Sequence, residues 1–446
     1  MENTITQISN SLYAQFIAYI EDRSQSWASS ETADLSRLRQ KAFEQFKRLG
    51  FPSAKVEEWK YTNLTDFLKD DFDIFQNDDE VISLNESLIA NAKIPLLDCY
   101  TIVMLNGKYR PDLSDGIPGE GIQVLPIKEA FNKEAFKTHF GKYINIEKNH
   151  FAALNTALFN DGLYIEVKDK TIVRKPIHVI HIISGENNLF LQPRNLFVVG
   201  SQGELSVIES YITDNNKEAT VFVNSVAEIA IGENTKMDHY YIQSGNNKTR
   251  YIQQTEIHQQ ASSLYNNFKV SFPGIGLLRS NLNLVLDGVN TESHLYGIYI
   301  AGGQQLVDNH TIVDHLKPNC MSNELYKGVM KDESTGIFNG KIFVRKQAQK
   351  TNAFQKNNNL MLSKKATVDS KPQLEIFADD VKCSHGSTIG QFNDEALFYL
   401  KSRGIGDEKA KALLIQAFVF DVTEKIPDAA IRSHINQLIE NALKEN

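Results

Sequence analysis

The chain has 446 residues, 41% hydrophobic and 23% charged, a composition typical of a globular protein with more than one domain. Its 47 basic and 55 acidic residues give a net charge of −8, which argues against nucleic acid as the main partner because phosphate binding needs a basic surface. No apolar run approaches the roughly 18 residues of a membrane span, and residues 1–10 lack the pattern of a secretory signal. We therefore expect a cytoplasmic protein that binds neither nucleic acid nor membrane.

The three cysteines, Cys99, Cys320 and Cys383, are far apart and odd in number. This pattern suits reduced thiols better than a disulfide framework. The chain has no CxxC, HExxH or Walker phosphate-loop motif. The sequence therefore predicts neither a closed zinc site nor an ATPase site in this chain.

The first hundred residues predict helices and loops. Two apolar stripes recur at helical spacing, and Gly50 with Pro52 predicts the end of the second helix. The stripes are Ile8, Leu12, Phe16 and Ile20, then Leu35, Leu38, Ala42, Phe43 and Phe46. The segment 57–62, Glu-Glu-Trp-Lys-Tyr-Thr, predicts aromatic side chains that pin this lobe to the next layer, with a binding surface as the alternative. Residues from about 70 to 100 are acidic and Asn-rich and predict a loop.

Strands begin near residue 102 and dominate the chain as far as Ile389. Ile102 to Leu105 predicts a strand that Asn106-Gly107 ends, and helical stretches follow at about 128–139 and 151–159. From about Leu163 onward, short β-branched runs follow one another with almost no helical pattern. This argues against a doubly wound α/β fold, which would interleave helices.

Turn-and-strand units recur in this region at about 15–16 residues late in the chain and at roughly 30 earlier. A step that doubles favours a β-solenoid, in which each turn stacks on the last. The run Asn357-Asn358-Asn359 is expected at a corner of a turn, where Asn tolerates left-handed backbone. A β-sandwich stays open as the alternative.

The tail returns to helix. Asn393 or Asp394 is expected to cap a helix that ends at Gly404, Asp407 caps the next, and Pro427 lies in the first turn of the last. The predicted buried stripes are Ala410, Leu413, Leu414, Ala417 and Phe418, then Ile431, Ile435, Leu438 and Ala442. Three such helices would cap the open end of the solenoid or form a docking surface, and capping is the commoner use.

The segment 379–386, Asp-Asp-Val-Lys-Cys-Ser-His-Gly, lies between the strand-rich region and this tail. Because side chains alternate along a strand, Cys383 and His385 are expected to project from the same face. A thiol and an imidazole on one face can share a metal or a sulfur species. The simpler interpretation is a small buried thiol beside a hydrogen-bonded histidine.

Residues 377–405, which include this segment, resemble the C-terminal signature of the SufB/SufD family of iron–sulfur cluster assembly proteins. The Cys-Ser-His-Gly form is more like the SufD branch than its paralogue SufB. Segment 57–62 resembles the family's N-terminal signature, and Leu154 to Gly162 resembles its lead-in to the β core. The resemblance spans nearly the whole chain.

The resemblance implies a mainly β fold, with a right-handed parallel β-helix core at 99–391 between an N-terminal helical domain at 1–98 and a C-terminal helical domain at 392–446. It also implies a non-catalytic scaffold and iron-entry subunit of the Suf complex. Such a subunit pairs with SufB through the β-helix and with two copies of the ABC-type ATPase SufC, which its C-terminal helices contact. ATP hydrolysis would belong to SufC, and a homodimer of the isolated chain stays open.

Carried onto this chain, the family's cluster ligand is His385, with Cys383 as a second group. The nascent cluster is expected to be transient and shared with SufB, and no tightly bound cofactor is expected in the isolated chain. The main sulfur-accepting cysteine belongs to SufB, so Cys99 and Cys320 are expected to be buried, inert thiols. Imidazole ligation beside thiolates from a partner suits a scaffold that must release its cluster. The other histidines, such as His178, His181 and His258, are expected to serve the fold or the surface.

Two other functions are open to a protein with a β-helix. A β-helix polysaccharide lyase or hydrolase would be secreted and would carry paired acidic residues in an aromatic-lined cleft. The absence of a visible signal sequence and the Cys383–His385 motif count against it. A purely structural β-helix predicts that His385 can be replaced without loss of cluster formation.

Overall fold

The structure is a computed structural model that describes residues 12–24, 27, 31–74, 86–214, 219–391 and 393–444. The helices are α1 (12–24), α2 (Ala33–Leu49), α3 (Glu86–Ala92), α4 (Glu134–His139), α5 (His150–Leu158), α6 (Asp394–Ser402), α7 (Asp407–Thr423) and α8 (Ala429–Lys444). Short 3₁₀ helices lie at Glu57–Trp59, Pro111–Leu113 and Ile127–Ala130. In the parts described, no helix is long and apolar enough to cross a membrane.

The strands lie between α3 and α6. They are β1 (Tyr100–Leu105), β2 (Lys108–Tyr109), β3 (Ile122–Pro126), β4 (Leu163–Val167), β5 (Ile177–Ile183), β6 (Leu189–Leu191), β7 (Arg194–Val199), β8 (Glu204–Thr213), β9 (Val221–Ile231), β10 (Lys236–Gln243), β11 (Thr249–Gln259), β12 (Leu264–Ser271), β13 (Leu277–Leu286), β14 (Glu292–Ala301), β15 (Leu306–His315), β16 (Met321–Met330), β17 (Thr335–Val344), β18 (Thr351–Met361), β19 (Thr367–Ile376) and β20 (Val381–Gly390).

These strands form two facing sheets of a parallel β-solenoid. The first sheet has the order β2-β1-β5-β8-β10-β12-β14-β16-β18-β20. The second has the order β19-β17-β15-β13-β11-β9-β7-β4-β3, with β6 paired to β9. Neighbouring strands from β4 onward are parallel, and the chain alternates between the sheets, so the β-sandwich alternative is wrong and the mainly β solenoid is confirmed.

The repeat of the sequence is the repeat of the solenoid. Register partners on neighbouring turns include Lys236 with Leu264 and Met321 with Asn352, so one turn takes about 30 residues. The half-step of 15–16 residues is the distance from one strand to the next in β17, β18 and β19. Each turn places its inward side chains directly on those of the turn before, which buries one continuous apolar core.

One corner of the solenoid uses left-handed backbone on successive turns. The residues there have φ between 54° and 61°, and they are Gln202, Asn234, Ser262, Asn290, Asn319 and Lys350. Asparagine is frequent among them because its side chain tolerates this conformation. The corner expected at Asn357 to Asn359 is wrong: these residues lie inside β18, and Asn357 and Asn359 point into the core, where both bond to Tyr299.

The N-terminal helices pack on the outer face of the second sheet. Leu12, Phe16 and Ile20 of α1 are buried with α2 and α5 against apolar side chains of that sheet, such as Phe222. Ile8, the remaining member of the predicted stripe, lies outside the described residues. The predicted end of α2 is confirmed, because Gly50 takes φ 60° and donates its N–H to Phe46 O.

The segment 57–62 pins this lobe to the sheet, as one of its two interpretations predicted. Trp59 is buried, and the guanidinium of Arg279 lies 3.9 Å from the centre of its ring. The hydroxyl of Thr62 donates a hydrogen bond to Asp308 Oδ2 at 2.5 Å, and Asp308 also forms an ion pair with Arg279. The aromatic and polar contacts together fix the segment to β13 and β15.

The C-terminal helices do not cap the solenoid, so that expectation is wrong. α7 and α8 lie on the outer face of the first sheet, where Ile415, Val419 and Ile435 pack against side chains such as Tyr240 and Phe268. That outer face is itself apolar, and the helices bury it. The side chains of the last strands, β19 and β20, are half-buried or exposed, and Lys371 of β19 pairs with Glu57 of the first 3₁₀ helix at 2.7 Å.

Several smaller expectations also change. Residues 86–92 form a helix where a loop was expected, and only Glu134–His139 of the stretch 128–139 is α-helical. Asn393 caps α6 as predicted, but α7 is capped by Gly406 rather than Asp407. Pro427 precedes the last helix, whose first N–H groups are accepted by Asp428. On α7 Ala410 is buried as predicted, but Leu413 is exposed and Ile415 is buried instead.

Candidate functional site

The solenoid ends at β19 and β20, which are the last strands of the two sheets. Among the strands that the structure describes, β20 pairs with β18 alone and β19 with β17 alone, and their side chains are half-buried or exposed. Earlier strands such as β13 and β16 are buried over most of their length. The end of the solenoid is therefore an open cross-section of the core, which we call the open end.

Cys383 and His385 both lie on β20 at this open end. Cys383 is half-buried and packs against the interior core, and His385 is exposed two residues further along. Ser387, of the same parity, donates its hydroxyl to Ser370 of β19 at 2.9 Å, across the interior. The three side chains thus share the inward face, and the predicted juxtaposition of Cys383 and His385 is confirmed.

The thiol and the imidazole have different environments. Burial raises the pKa of the Cys383 thiol above its ordinary value, and a hydrogen bond from the backbone of Ala353 opposes this. In the isolated chain Cys383 is therefore a protonated thiol at neutral pH. An approaching metal ion would have to displace that proton, since thiolate is the form that binds metals.

The backbone of β20 offers a second feature. Asn352 of β18 donates its N–H to Cys320 O of the preceding turn at 3.0 Å. Lys382 is the register partner of Asn352 on β20, so the N–H of Lys382 points to the preceding turn in the same way. Because backbone groups alternate along a strand, the N–H groups of Cys383, His385 and Ser387 point away from β18 toward the free edge. Such an edge is a template for a strand from another chain.

A column of polar side chains runs into the core directly beneath His385. Its register partner on the turn below is Gln355, and the partner of Gln355 is Glu324. Gln355 donates from Nε2 to Glu324 Oε1 at 3.2 Å, and Thr311 of the facing sheet donates to Glu324 Oε2 at 2.6 Å. Both Glu324 and Gln355 are buried, and burial raises the pKa of Glu324 to about 7.

A second polar group lies beside this column. Ser370 donates to Asn357 Oδ1 at 3.0 Å, and Asn357 donates to the hydroxyl of Tyr299 at 3.0 Å. Tyr299 in turn donates to Asn359. The interior behind the open end is thus hydrogen-bonded over two turns, which holds the inward face of β18 beneath β20 in place.

The other cysteines and histidines lie elsewhere; Cys320 is buried as expected, whereas Cys99 was expected to be buried and is half-buried. Cys320 is buried in the core and donates to Gly288 O, and Cys99 is half-buried with the pKa of its thiol raised by desolvation. His178 bonds Ser210, His181 bonds Glu209, and His258 lies beside Asp287. Within the described ranges no cluster of three or more His, Cys, Asp or Glu is arranged to hold a metal ion.

The C-terminal helices present a separate apolar surface. None of the side chains of α6 is buried, and Phe398 is 73% exposed and Tyr399 56%. On α7 Phe420 is 57% exposed. Large apolar side chains left outside on a helix are typical of a protein-binding surface.

Sequence reasoning missed Glu324 and Gln355. Neither belongs to a motif, and each stands about 30 residues from the next member of the column, at one turn of the solenoid. The signal that could have found them is a polar residue at an inward position of a strand, once the register of the turns is known.

Comparisons with known proteins agree with this geometry. Residues 181–418 match the family model described as SUF system FeS cluster assembly, SufBD core domain, and residues 10–179 match that of the SufBD protein N-terminal region. An iron–sulfur cluster assembly SufBD family protein of Synechocystis is 31% identical over 422 residues, which cover 92% of each chain. The iron–sulfur cluster assembly protein SufD of Escherichia coli is 30% identical over 414 residues, 91% of this chain and 92% of that one. SufD of Bacillus subtilis is 26% identical over 434 residues, 93% and 95%. The chain therefore belongs to the SufBD family of iron–sulfur cluster assembly proteins.

Proposed function

We propose that this chain is a SufD-type scaffold and iron-entry subunit, and that it binds a nascent iron–sulfur cluster at the open end of its solenoid. The observation that carries the proposal is the pair Cys383 and His385 on the inward face of β20, a terminal strand whose side chains are half-buried or exposed. In this proposal the cluster is cargo, and the chain catalyses no reaction of its own.

The chemistry of the pair suits transient binding. His385 supplies an exposed imidazole nitrogen, and Cys383 supplies a thiol that becomes a thiolate when a metal displaces its proton. An iron in a cluster commonly has four ligands, so two donors from this chain leave further positions to bridging sulfide and to a partner. Imidazole in place of thiolate weakens the hold on the cluster, which favours its release.

The partner at the open end is proposed to be the paralogue SufB. Its own β-helix would add strands to the free edges of β19 and β20, and it would bring the remaining thiolates to the same contact. The exposed side chains of α6 and α7 are proposed to contact the ABC-type ATPase SufC. ATP hydrolysis in that partner would then move the helices that lie on the first sheet.

The test is the iron and acid-labile sulfide content of the complex of the three subunits, purified without oxygen. We expect His385→Ala to assemble normally and to lose most of the cluster, because a ligand is missing. The control is His294→Ala, which removes a histidine from the outer face of the same sheet, where it pairs with Glu292.

Full cluster content in the His385→Ala complex contradicts the proposal. The chain would then be a structural partner of the other subunits, which is the second candidate function. That candidate is favoured by the free strand edges, which need a partner whether or not a cluster binds there.

A further inference from the structure

The interior of this solenoid holds several buried polar groups, such as Glu209 with His181 and His239, and the column beneath His385 is one of those that lie next to the open end. In the first sheet, the register partner of His385 on the turn below is Gln355. The partner of Gln355 is Glu324, and that of Glu324 is Leu295. Leu295 is buried, with Leu282 at the corresponding place in the facing sheet. Leu295 and Leu282 thus separate Glu324 and Gln355 from Asn267, the next polar residue below, and the upper end of this stretch lies at the open end.

The amide of Gln355 is held in one orientation. Its nitrogen donates to Glu324 Oε1, while Glu324 Oε2 is already occupied by the hydroxyl of Thr311. The facing residue, Gly340, leaves the space that this amide fills, since a Cβ there would collide with the Gln355 nitrogen. Glu324 below and Gly340 opposite therefore fix the nitrogen, and with it the oxygen, of this side chain.

The amide oxygen of Gln355 has no hydrogen-bond partner among the described residues, although the side chain is 1% exposed. A buried carbonyl oxygen without a donor costs roughly 1–3 kcal/mol, so a donor is expected to reach it in the working protein. Register partners on neighbouring strands stand about 4.8 Å apart, which places the His385 side chain within reach from above. An imidazole N–H is such a donor.

We propose that Gln355 is a positioning residue for His385, whose ring donates one N–H to the Gln355 amide oxygen and so keeps its other nitrogen free for iron. The inference rests on the proposed function of His385. Histidines that bind metals generally donate their second ring nitrogen to such a group, which fixes the tautomer and the direction of the ring. Glu324 acts one step further down, by holding the amide with its oxygen toward the histidine.

The direct test is the tautomer of the His385 ring in the full-length chain, labelled with ¹⁵N at histidine. Long-range ¹H–¹⁵N spectra distinguish which ring nitrogen carries the proton, and His385→Ala identifies the signal. We expect one dominant tautomer in the wild type. In Gln355→Met, which keeps the volume and removes the acceptor, we expect the mixture of a freely exposed histidine.

Glu324→Gln supplies a second variant of nearly unchanged shape. Its amide can donate to Gln355, which lets the Gln355 amide turn over, so we expect the same mixture of tautomers. The matched control is Gln243→Met on β10: Gln243 is also buried and its amide oxygen also lacks a partner among the described residues, but it lies five turns below β20. An unchanged His385 signal in both Gln355→Met and Glu324→Gln overturns the inference.

A second readout separates this inference from the proposed function. Groups that orient a metal-binding histidine typically contribute about 10- to 100-fold to metal affinity, so we expect the Gln355→Met complex to bind added Fe²⁺ that much more weakly. Loss of cluster in His385→Ala with wild-type affinity in Gln355→Met leaves the proposed function standing and overturns the role of Gln355. Full cluster content in His385→Ala overturns the proposed function, while the tautomer spectra still decide whether the hydrogen bond exists.

Discussion

Glu256 is a carboxyl group buried on the outer face of the second sheet. Its Oε1 accepts from Gln254 at 2.7 Å and from Asn283 at 2.9 Å, and Gln254 links it to Asn149, the cap of α5. Burial, with a smaller contribution from the charge of Glu228, raises the pKa of Glu256 from 4.5 to about 8. The folded protein therefore keeps a proton that the unfolded chain releases.

This predicts a stability that depends on pH. The pKa of Glu256 is higher in the folded protein than in the unfolded chain, so its protonation adds to the free energy of unfolding. This contribution is fully present below about pH 4.5 and is lost as the pH rises through about 8. Glu256→Gln keeps an oxygen acceptor and removes the titration, so it should flatten the stability curve over this range by an amount of the order of a few kcal/mol at pH 8. Urea unfolding at a series of pH values measures this, with exposed Glu233→Gln as the control. If the free energy of unfolding depends on pH in the same way in Glu256→Gln and in the wild type, the predicted role of Glu256 is wrong.

Single residues differ in how far their roles could be predicted from the sequence. The shared face of Cys383 and His385 needs only the alternation of one strand, and that prediction is confirmed. Gln355 and Glu324 could not be found in this way, since their contact depends on the register between strands about 30 residues apart. Local periodicity identifies the face of a residue, and register identifies its neighbour.

At the scale of elements, the solenoid was predictable because its repeat recurs in the sequence, whereas the place of the tail was not. The helices α7 and α8 were expected on the end of the solenoid and lie on the outer face of the first sheet. α7 is apolar on more than one side, so its pattern does not define which side is buried: Val419 is buried and Phe420 is exposed. Which side of α7 is buried depends on the apolar outer face of the first sheet, and that face is built from strands that are far apart in the sequence.

The free edge of β20 leads to a prediction about pairing. Ser387→Pro removes an N–H that points to this edge and leaves the hydrogen bonds to β18 in place, because proline is tolerated on an edge strand. We expect the variant to fold and to lose its complex with a SufB-type partner in size-exclusion chromatography with light scattering. Ser387→Ala, which loses only the hydroxyl bonded to Ser370, should retain the complex. Intact pairing of Ser387→Pro would show that the partner does not add a strand here.

At the scale of the whole molecule, the solenoid separates three surfaces. The N-terminal helices cover the outer face of the second sheet, the C-terminal helices cover that of the first, and the open end lies between the two. Deleting the tail to test its docking role would expose side chains such as Tyr240 and Phe268, and the loss of a partner could then reflect damage to the core. Exposed side chains of the tail are the better target.

The separation predicts that the two proposed partners can be lost one at a time. Phe398→Glu places a charge on a side chain that is 73% exposed on α6, so it should leave the unfolding temperature unchanged and abolish capture of the ABC-type ATPase. The same variant should still pair with SufB, since the open end is built from β19 and β20. Ser387→Pro should show the reverse, keeping the ATPase and losing SufB. Pull-down of each partner by each variant measures all four combinations. If Phe398→Glu lost both partners while remaining folded, the two surfaces would have to act as one, and the assignment of separate contacts to the tail and to the open end would be wrong.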